Sequence, residues 1–508
     1  MAGPVRKSLW LDGKRERPIV PFAPTTAYDD VVIGAGLTGL STAVALARAG
    51  RSVAVVEARY LGAAATGNTT AKLSLLQGTT LSKIRKHNSR RVARAYVDAN
   101  RAGRDWLLEL CTDRSVPVRH RAAVTFGVGP GSESQLEAEY AACRDAGLAV
   151  TRTETELPFP THAAIQLADQ AQFDPMDVLE ALARELEETS GVIFERTRVV
   201  DVKPGEPCTI TTEKGEIFGG NVIVATGSPI LDRGLYFAKL TASRSYLVAF
   251  DVPGSLPQDM YLSVEAPTRS LRTAPGPNGD RLLVGGNGHI VGRQSETQAL
   301  VDDLVAWTKQ HFPQAEPSHS WSAQDHATHN LVPFVGRMPR GRGKIYVATG
   351  YNKWGMTNGV AAALRIAGEI LGRPVSWARP LKTRVTGPAD IAAGVKANAG
   401  VAMAGAKGWA QAERHELRDP HVDSAGVDGA GVVGAGVVGR EDGKPVAAAT
   451  VDGKSCKVSA VCTHLGGIVS WNDAESSWDC PLHGSRFSAD GQVLEGPATR
   501  NLANVQQP

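Results

Sequence analysis

The sequence predicts an α/β nucleotide-binding domain with an inserted α+β region on its substrate side, followed by a small all-β domain that holds a metal centre. Three observations predict it. The first is Val31-Val32-Ile33-Gly34-Ala35-Gly36-Leu37-Thr38-Gly39-Leu40, a helical stretch to Gly50, and then Val53-Ala54-Val55-Val56-Glu57. The second is a set of alternating stretches such as 245–250 and 281–285, which read as strands of a further sheet. The third is Cys462-Thr463-His464 followed, after fifteen residues, by Cys480-Pro481-Leu482-His483.

The first stretch reads strand, glycine turn, helix, strand, acidic residue. In that context Gly34 makes the tight turn, Gly36 lets a pyrophosphate approach the N-terminus of the helix that Thr38 enters, and Gly39 lets helix and strand pack closely. Glu57 ends the second strand, where it can accept hydrogen bonds from a ribose. The same G-x-G-x-x-G spacing recurs at 429–434 and 434–439. Neither copy follows an apolar strand, and 440–443 reads as a turn, so both are read as Gly-rich strand sequence opening the last domain.

At 508 residues the chain is too long for one ordinary core. The reading is an N-terminal extension at 1–27, a nucleotide-binding domain at 28–375 with the substrate-side sheet interleaved at about 150–330, an Ala/Gly-rich linker at 376–427 and the small domain at 428–508. A net charge of +3, from 55 basic and 52 acidic residues, gives no general attraction to nucleic acid. Two of the six cysteines are proposed ligands and the rest are scattered, which suits a reducing cytoplasm. The first 28 residues contain no apolar signal core, and no run of eighteen apolar residues predicts a membrane span.

Three further segments extend the nucleotide site. Residues 64–72 are a small, polar loop containing Thr66 and Thr70; 221–227 is an apolar strand ending Ala225-Thr226-Gly227; and 345–359 is a strand running through Gly350, Lys353, Trp354, Gly355, Met356 and Thr357 towards a helix expected at 360–371. Together these resemble the D-amino-acid-oxidase-like family of FAD oxidoreductases, over about residues 28–375. The resemblance implies a Rossmann-like FAD-binding fold, with the N-terminus of the last helix directed at the flavin N1/C2=O edge to stabilise the reduced ring. It also implies that Val199 meets the adenine through its backbone. Some relatives attach FAD through a Cys near that helix; here no Cys lies between Cys208 and Cys456, which excludes that link.

Two thiolates and two imidazoles suit a tetrahedral zinc ion or a [2Fe-2S] cluster with Cys on one iron and His on the other. The wording around them, Cys462-Thr-His464-Leu-Gly466 and Cys480-Pro-Leu-His483-Gly484-Ser485 with Gly496-Pro497-Ala498 beyond, resembles the two cluster boxes and proline loop of Rieske proteins. That resemblance makes Cys462, His464, Cys480 and His483 the iron ligands. Many Rieske proteins carry a further disulfide-forming Cys in each box, and those places hold Gly467 and Leu482. Ser485 matches a hydrogen-bonding Ser of high-potential relatives, but Phe487 stands where they have Tyr. A potential below the top of the range of about −150 to +300 mV is therefore expected.

In the middle, Asp174-Pro175 reads as the cap and first residue of a helix, and 82–111 reads as one helix with the apolar stripe Val92, Tyr96, Ala99, Trp106, Leu110. Candidate pocket residues are Arg244, Tyr246, Arg272, His289, His326, His329, Lys353 and Trp354. Lys353 and Trp354 are the catalytic candidates, since they immediately precede the flavin-facing helix. No base is named; hydride removal beside a neutral amine, which the family implies, needs none. Within the linker, 390–412 is expected to be a helix docked between domains.

The two cofactors imply a division of labour. A small amine or amino acid gives a hydride to FAD, and electrons then pass one at a time through the cluster to an external acceptor, with the His-ligated iron nearest the surface. The alternatives are an O2-using flavin oxidase with a structural or regulatory cluster, and a non-catalytic redox sensor.

Overall fold

The structure is a computed structural model and describes residues 3–13, 17–189, 191–382, 388–414, 416–417 and 435–505. Strand Ala27–Ile33 lies inside an eight-stranded sheet, parallel to Val53–Val56 on one side and Gly215–Val224 on the other. Val192–Phe194 and Ile345–Thr349 extend the parallel order outward. Val31, Val32, Val53, Ala54, Val55, Val222, Ile223 and Val224 are completely buried. Strands covered on both faces read as unbroken apolar runs, which is why the sequence marks them so clearly. Helices Leu37–Ala47, Pro175–Glu188 and Gly355–Ile370 share one apolar core with this sheet. Asp174 caps the second of them by accepting from the Met176 N–H, with Pro175 in the first turn.

The helix expected at 360–371 starts instead at Gly355. Its first turns contain Thr357 and Asn358, weak helix formers, but both are tied into neighbouring structure. The Thr357 hydroxyl donates to Asn100 at 2.5 Å, and the Asn358 amide donates to the Tyr96 hydroxyl at 3.0 Å. These tertiary bonds outweigh the local preference for a turn. Residues 82–111 form two helices rather than one, Thr80–His87 and Arg90–Asp113. Asn88 is extended between them, and Ser89 caps the second by accepting from the Val92 N–H.

A second sheet of nine strands stands over the first. Leu240–Asp251 pairs antiparallel with Glu316–Thr328 on one side and Gly279–Ile290 on the other. This sheet also recruits Arg119–Gly127 and Lys72–Leu73, so it begins well before residue 150. The N-terminal residues pack into the same body. Val5 bonds the backbone of Ser318 and Ser320, and Trp10 is buried with its indole N–H donating to the Thr69 carbonyl.

The C-terminal residues are all-β. Ala435–Glu441, Lys444–Val451 and Lys454–Ser459 form one antiparallel sheet, while Ser470–Asn472, Ser477–Asp479, Arg486–Ser488 and Val493–Glu495 form another. The second copy of the repeated glycine motif lies mostly in the first of these strands, and the copy at 429–434 falls outside the described residues. Asp442 and Gly443 make the two-residue hairpin turn with φ of 49° and 74°, as such turns require.

Helix Pro388–Arg414 covers the stretch expected to be helical and does dock between the two bodies. The Asn398 amide donates to the Ala238 carbonyl of the larger body, and the Trp409 indole donates to the Gly466 carbonyl of the smaller. Among the described residues no helix is long and apolar enough to cross a membrane.

Candidate functional site

A chamber of about 530 Å³ opens at the C-terminal ends of the parallel strands, where ligands of such sheets bind. Gly34 turns the chain with φ of 106°; a side chain there would meet the Ala225 carbonyl oxygen at 2.7 Å. Gly36 caps helix Leu37–Ala47, and a Cβ on it would sit 3.2 Å from the Thr66 hydroxyl that also accepts from the Leu37 N–H. The Glu57 carboxylate is held by the N–H groups of Ala35 and Arg59 at 2.9 and 2.8 Å. That fixes it at the chamber wall with lone pairs left for ribose hydroxyls. The chamber therefore fits FAD: glycines open the approach to a helix N-terminus, and an oriented acid stands beside it.

Of the residues assigned to the cofactor from the sequence, Gly34, Gly36, Thr38, Glu57, Thr66, Thr70, Val199, Ala225, Thr226, Gly227, Gly355 and Met356 line this one chamber. Three do not. Gly39 is a packing position, where a Cβ would come within 1.9 Å of the Gly34 carbonyl oxygen. Gly350 turns against Thr328, and Thr357 points into the helix interface already described.

Lys353 and Trp354 both line the chamber. The Lys353 ammonium donates to the Ser245 hydroxyl at 2.6 Å, and its backbone N–H donates to Asp325. Burial lowers the Lys353 pKa against the pull of Asp325, while burial raises the Asp325 carboxyl to about 6. Tyr246 and His326 also face the chamber; Arg244, Arg272, His289 and His329 do not. Arg272 instead holds the cofactor loop, donating to the Thr70 and Ala71 carbonyls. Sequence reasoning missed Lys72, buried in the wall and donating to the Tyr261 carbonyl and Ser270 hydroxyl. It also missed Gln324, whose one signal was its place on a strand that alternates.

The two metal-binding loops have the same backbone design. Cys462 N–H donates to the Gly467 carbonyl and Gly466 N–H returns to Cys462; Cys480 N–H donates to Ser485 and Gly484 N–H returns to Cys480. Gly466 and Gly484 take φ of 71° and 80°, the left-handed conformation each loop needs. Cys462 and Cys480 are free and buried, and His464 and His483 lie with ring centres 5.1 Å apart. The Cys480 thiol bonds Cys462, which pulls the Cys462 pKa down, with the N–H groups of His464 and Leu465 and the Ser485 hydroxyl also contributing.

Among the described residues no three His, Cys, Asp or Glu side chains converge as one ion's ligand set. The four donors form two pairs, thiols together and imidazoles together, which suits two irons better than one tetrahedral zinc. His483 Nδ1 is buried without a partner, and His464 uses Nε2 on the Asp232 carboxylate at 3.1 Å, leaving Nδ1 for a metal. At the two places where relatives have cysteines, a Cβ on Gly467 would meet Leu482 Cγ at 2.5 Å. Leu482 occupies the space that the relatives' bridge takes.

The imidazole edge is half-buried, less enclosed than the buried Cys462 and Cys480, and is partly covered by the larger body. Phe237 of the larger body packs edge-on to both rings, 5.6 Å from His464 and 5.0 Å from His483, and the His464 side chain is only 8% exposed. The ligand loops are bonded to the body that carries the chamber. Gln324, a chamber residue, donates to the Gly484 carbonyl at 2.7 Å, and its own oxygen accepts from Arg244 at 2.8 Å. Arg293 donates to the Pro481 carbonyl, and Thr297 donates to Asn472.

Comparison with known proteins agrees with this geometry. Residues 29–368 match the family model DAO, FAD dependent oxidoreductase, and residues 428–506 match the Rieske [2Fe-2S] domain. The Rieske 2Fe-2S iron-sulfur protein YhfW of Bacillus subtilis (strain 168) is 29% identical over 491 residues, covering 94% of each chain. Glycine oxidase from Geobacillus kaustophilus superposes with a TM-score of 0.59 at 19% identity, covering 69% of this chain and 96% of that one. L-proline dehydrogenase from P. horikoshii gives 0.58 at 17% identity, covering 70% and 96%. The DAO domain binds FAD and the C-terminal domain binds a [2Fe-2S] cluster.

Proposed function

The chain belongs to the DAO family of FAD dependent oxidoreductases, and from that premise we propose that it oxidises a small amine or amino acid and sends the electrons singly through its own cluster to an external acceptor. When bound, the flavin supplies two-electron hydride acceptance and the iron pair one-electron acceptance. One observation carries the reading: Gln324 spans from the chamber wall to the backbone beside His483. The chamber wall and the second ligand loop are thus in direct hydrogen-bonded contact, which supports transfer between the two sites.

The surroundings support an amino acid more than a plain amine. The Lys72 ammonium is buried in the chamber wall, and its two partners are an uncharged carbonyl and a hydroxyl. Burial drives its pKa down, with Arg272 adding to the effect. A substrate carboxylate would supply the missing counter-charge. Lys353 and Trp354 stand where helix Gly355–Ile370 begins, so its free N–H groups are available to the flavin edge. The exposed Leu465, beside the half-buried His464, is the part of the first loop that an acceptor would meet first.

Anaerobic mixing of the holo-protein with a panel of amines and amino acids tests the reading. It predicts bleaching of the flavin followed by the paramagnetic signal of the reduced cluster. Bleaching with the cluster left oxidised, or hydrogen peroxide formed mole for mole in air by a chain lacking its cluster, would refute it in favour of a simple oxidase.

A further inference from the structure

The flavin chamber is not built by the family domain alone. Leu494, Glu495, Gly496, Ala498 and Thr499, all from the cluster-binding domain, line it together with Gly34, Glu57 and Thr66. The same loop is tied on three sides. Arg198, which lines the chamber beside Val199, donates to the Val493 carbonyl at 2.8 Å. The Ala498 N–H donates to the Ser485 hydroxyl at 3.0 Å, next to the second ligand pair, and the Thr463 hydroxyl, inside the first pair, donates to the Arg500 carbonyl at 2.6 Å. A Cβ on Gly496 would already be in van der Waals contact with Ile230 of the chamber wall.

We propose that residues 493–500 are a shared wall, binding FAD on one side and closing the cluster site on the other, so that filling either site stabilises the other. The physical reason is linkage. A loop whose ordering serves two ligands is ordered once, and whichever ligand binds second meets it already in place. This rests on the assignment of FAD to the chamber but not on any electron passing between the centres.

The test uses the full chain with its cluster in place and its FAD removed, and FAD itself as the probe. With free FAD at ten times its Kd, amide hydrogen exchange at 493–500 should slow about tenfold, while helix Glu133–Asp145, which contributes no residue to the chamber, keeps its rates. Leu494→Ala should weaken FAD binding about fivefold by flavin fluorescence titration, with Thr499→Ala as the second variant should the first not fold. Exchange at 493–500 that ignores FAD, or FAD affinities unchanged in the variants, would overturn the shared wall. A protein whose reduced flavin never reduces the cluster would leave both measurements as predicted, so the relay and the wall fail separately.

Discussion

Gln324→Leu is the sharpest perturbation of the junction between the two cofactors. The side chain is 3% exposed and Arg244 is fully buried. Its replacement leaves two buried groups without their partner, the Gly484 carbonyl and one Arg244 nitrogen. Stranding each costs about 1–3 kcal/mol, and the added apolar burial of leucine returns about 1 kcal/mol, so the net loss is about 1–5 kcal/mol. It falls on the contact between the strand carrying Gln324 and the second ligand loop. At the low end it speeds local opening of residues 480–485 about fivefold, since about 1.4 kcal/mol is a factor of ten. Amide exchange of that loop in the loaded full chain measures it, and the rate at which substrate electrons reach the cluster should fall with it. Gln324→Glu separates the two bonds, because it keeps the acceptor for Arg244 but opposes two carboxylate oxygens to the Gly484 carbonyl. Loop exchange within threefold of wild type in the leucine variant would refute the claim that Gln324 fixes this contact.

Other consequences follow from single positions. Gly39→Ala forces a Cβ to within 1.9 Å of the Gly34 carbonyl oxygen, so the variant should purify without flavin, read as visible absorbance per chain. The wild-type cluster should titrate below the top of the Rieske range of about −150 to +300 mV. Phe487→Tyr should raise that midpoint by about 40 mV if the new hydroxyl gives the cluster a hydrogen bond of about 1 kcal/mol; an EPR-monitored redox titration reads both. Burial lowers His326 to about 4 from 6.5, so the unfolded chain binds more protons between those values. The stability this neutral imidazole contributes is complete above pH 6.5 and lost as pH falls towards 4, about 2 kcal/mol of it by pH 5. The loss in denaturant midpoint between pH 7 and pH 5 should therefore be smaller in His326→Leu than in wild type.

The features legible in the sequence are those that covalent geometry fixes over short spans. The glycine turn at Gly34 and Gly36 is such a feature, because no other residue allows both its φ and the approach to the helix end. The cluster boxes are another, since each ligand pair sits on a loop closed by its own backbone bonds. The helix at Gly355 was illegible at its start because Thr357 and Asn358 gain their helical state from Asn100 and Tyr96, more than 250 positions away. Arg244 and Arg272 look like substrate ligands in a sequence, as isolated cations on strands. In the fold one braces Gln324 and the other the loop at Thr70.

Gly467 and Leu482 show how an absence in the sequence acquires a cause. The absence of both cysteines is consistent with a bridge that is not made, and Leu482 fills the gap so closely that only glycine fits opposite it. The same leucine lies beside the docked helix Pro388–Arg414, where a Cβ added to Gly405 would meet it at 3.5 Å. That helix also bonds the first loop through Trp409 to the Gly466 carbonyl and the larger body at Ala238. In a domain held by its own disulfide, the loops would keep their spacing wherever the domain moved. Here Leu482 packs the second loop against Gly467 of the first, and Gln324 and Arg293 bond the second loop to the larger body, so the cluster site is anchored beside the chamber.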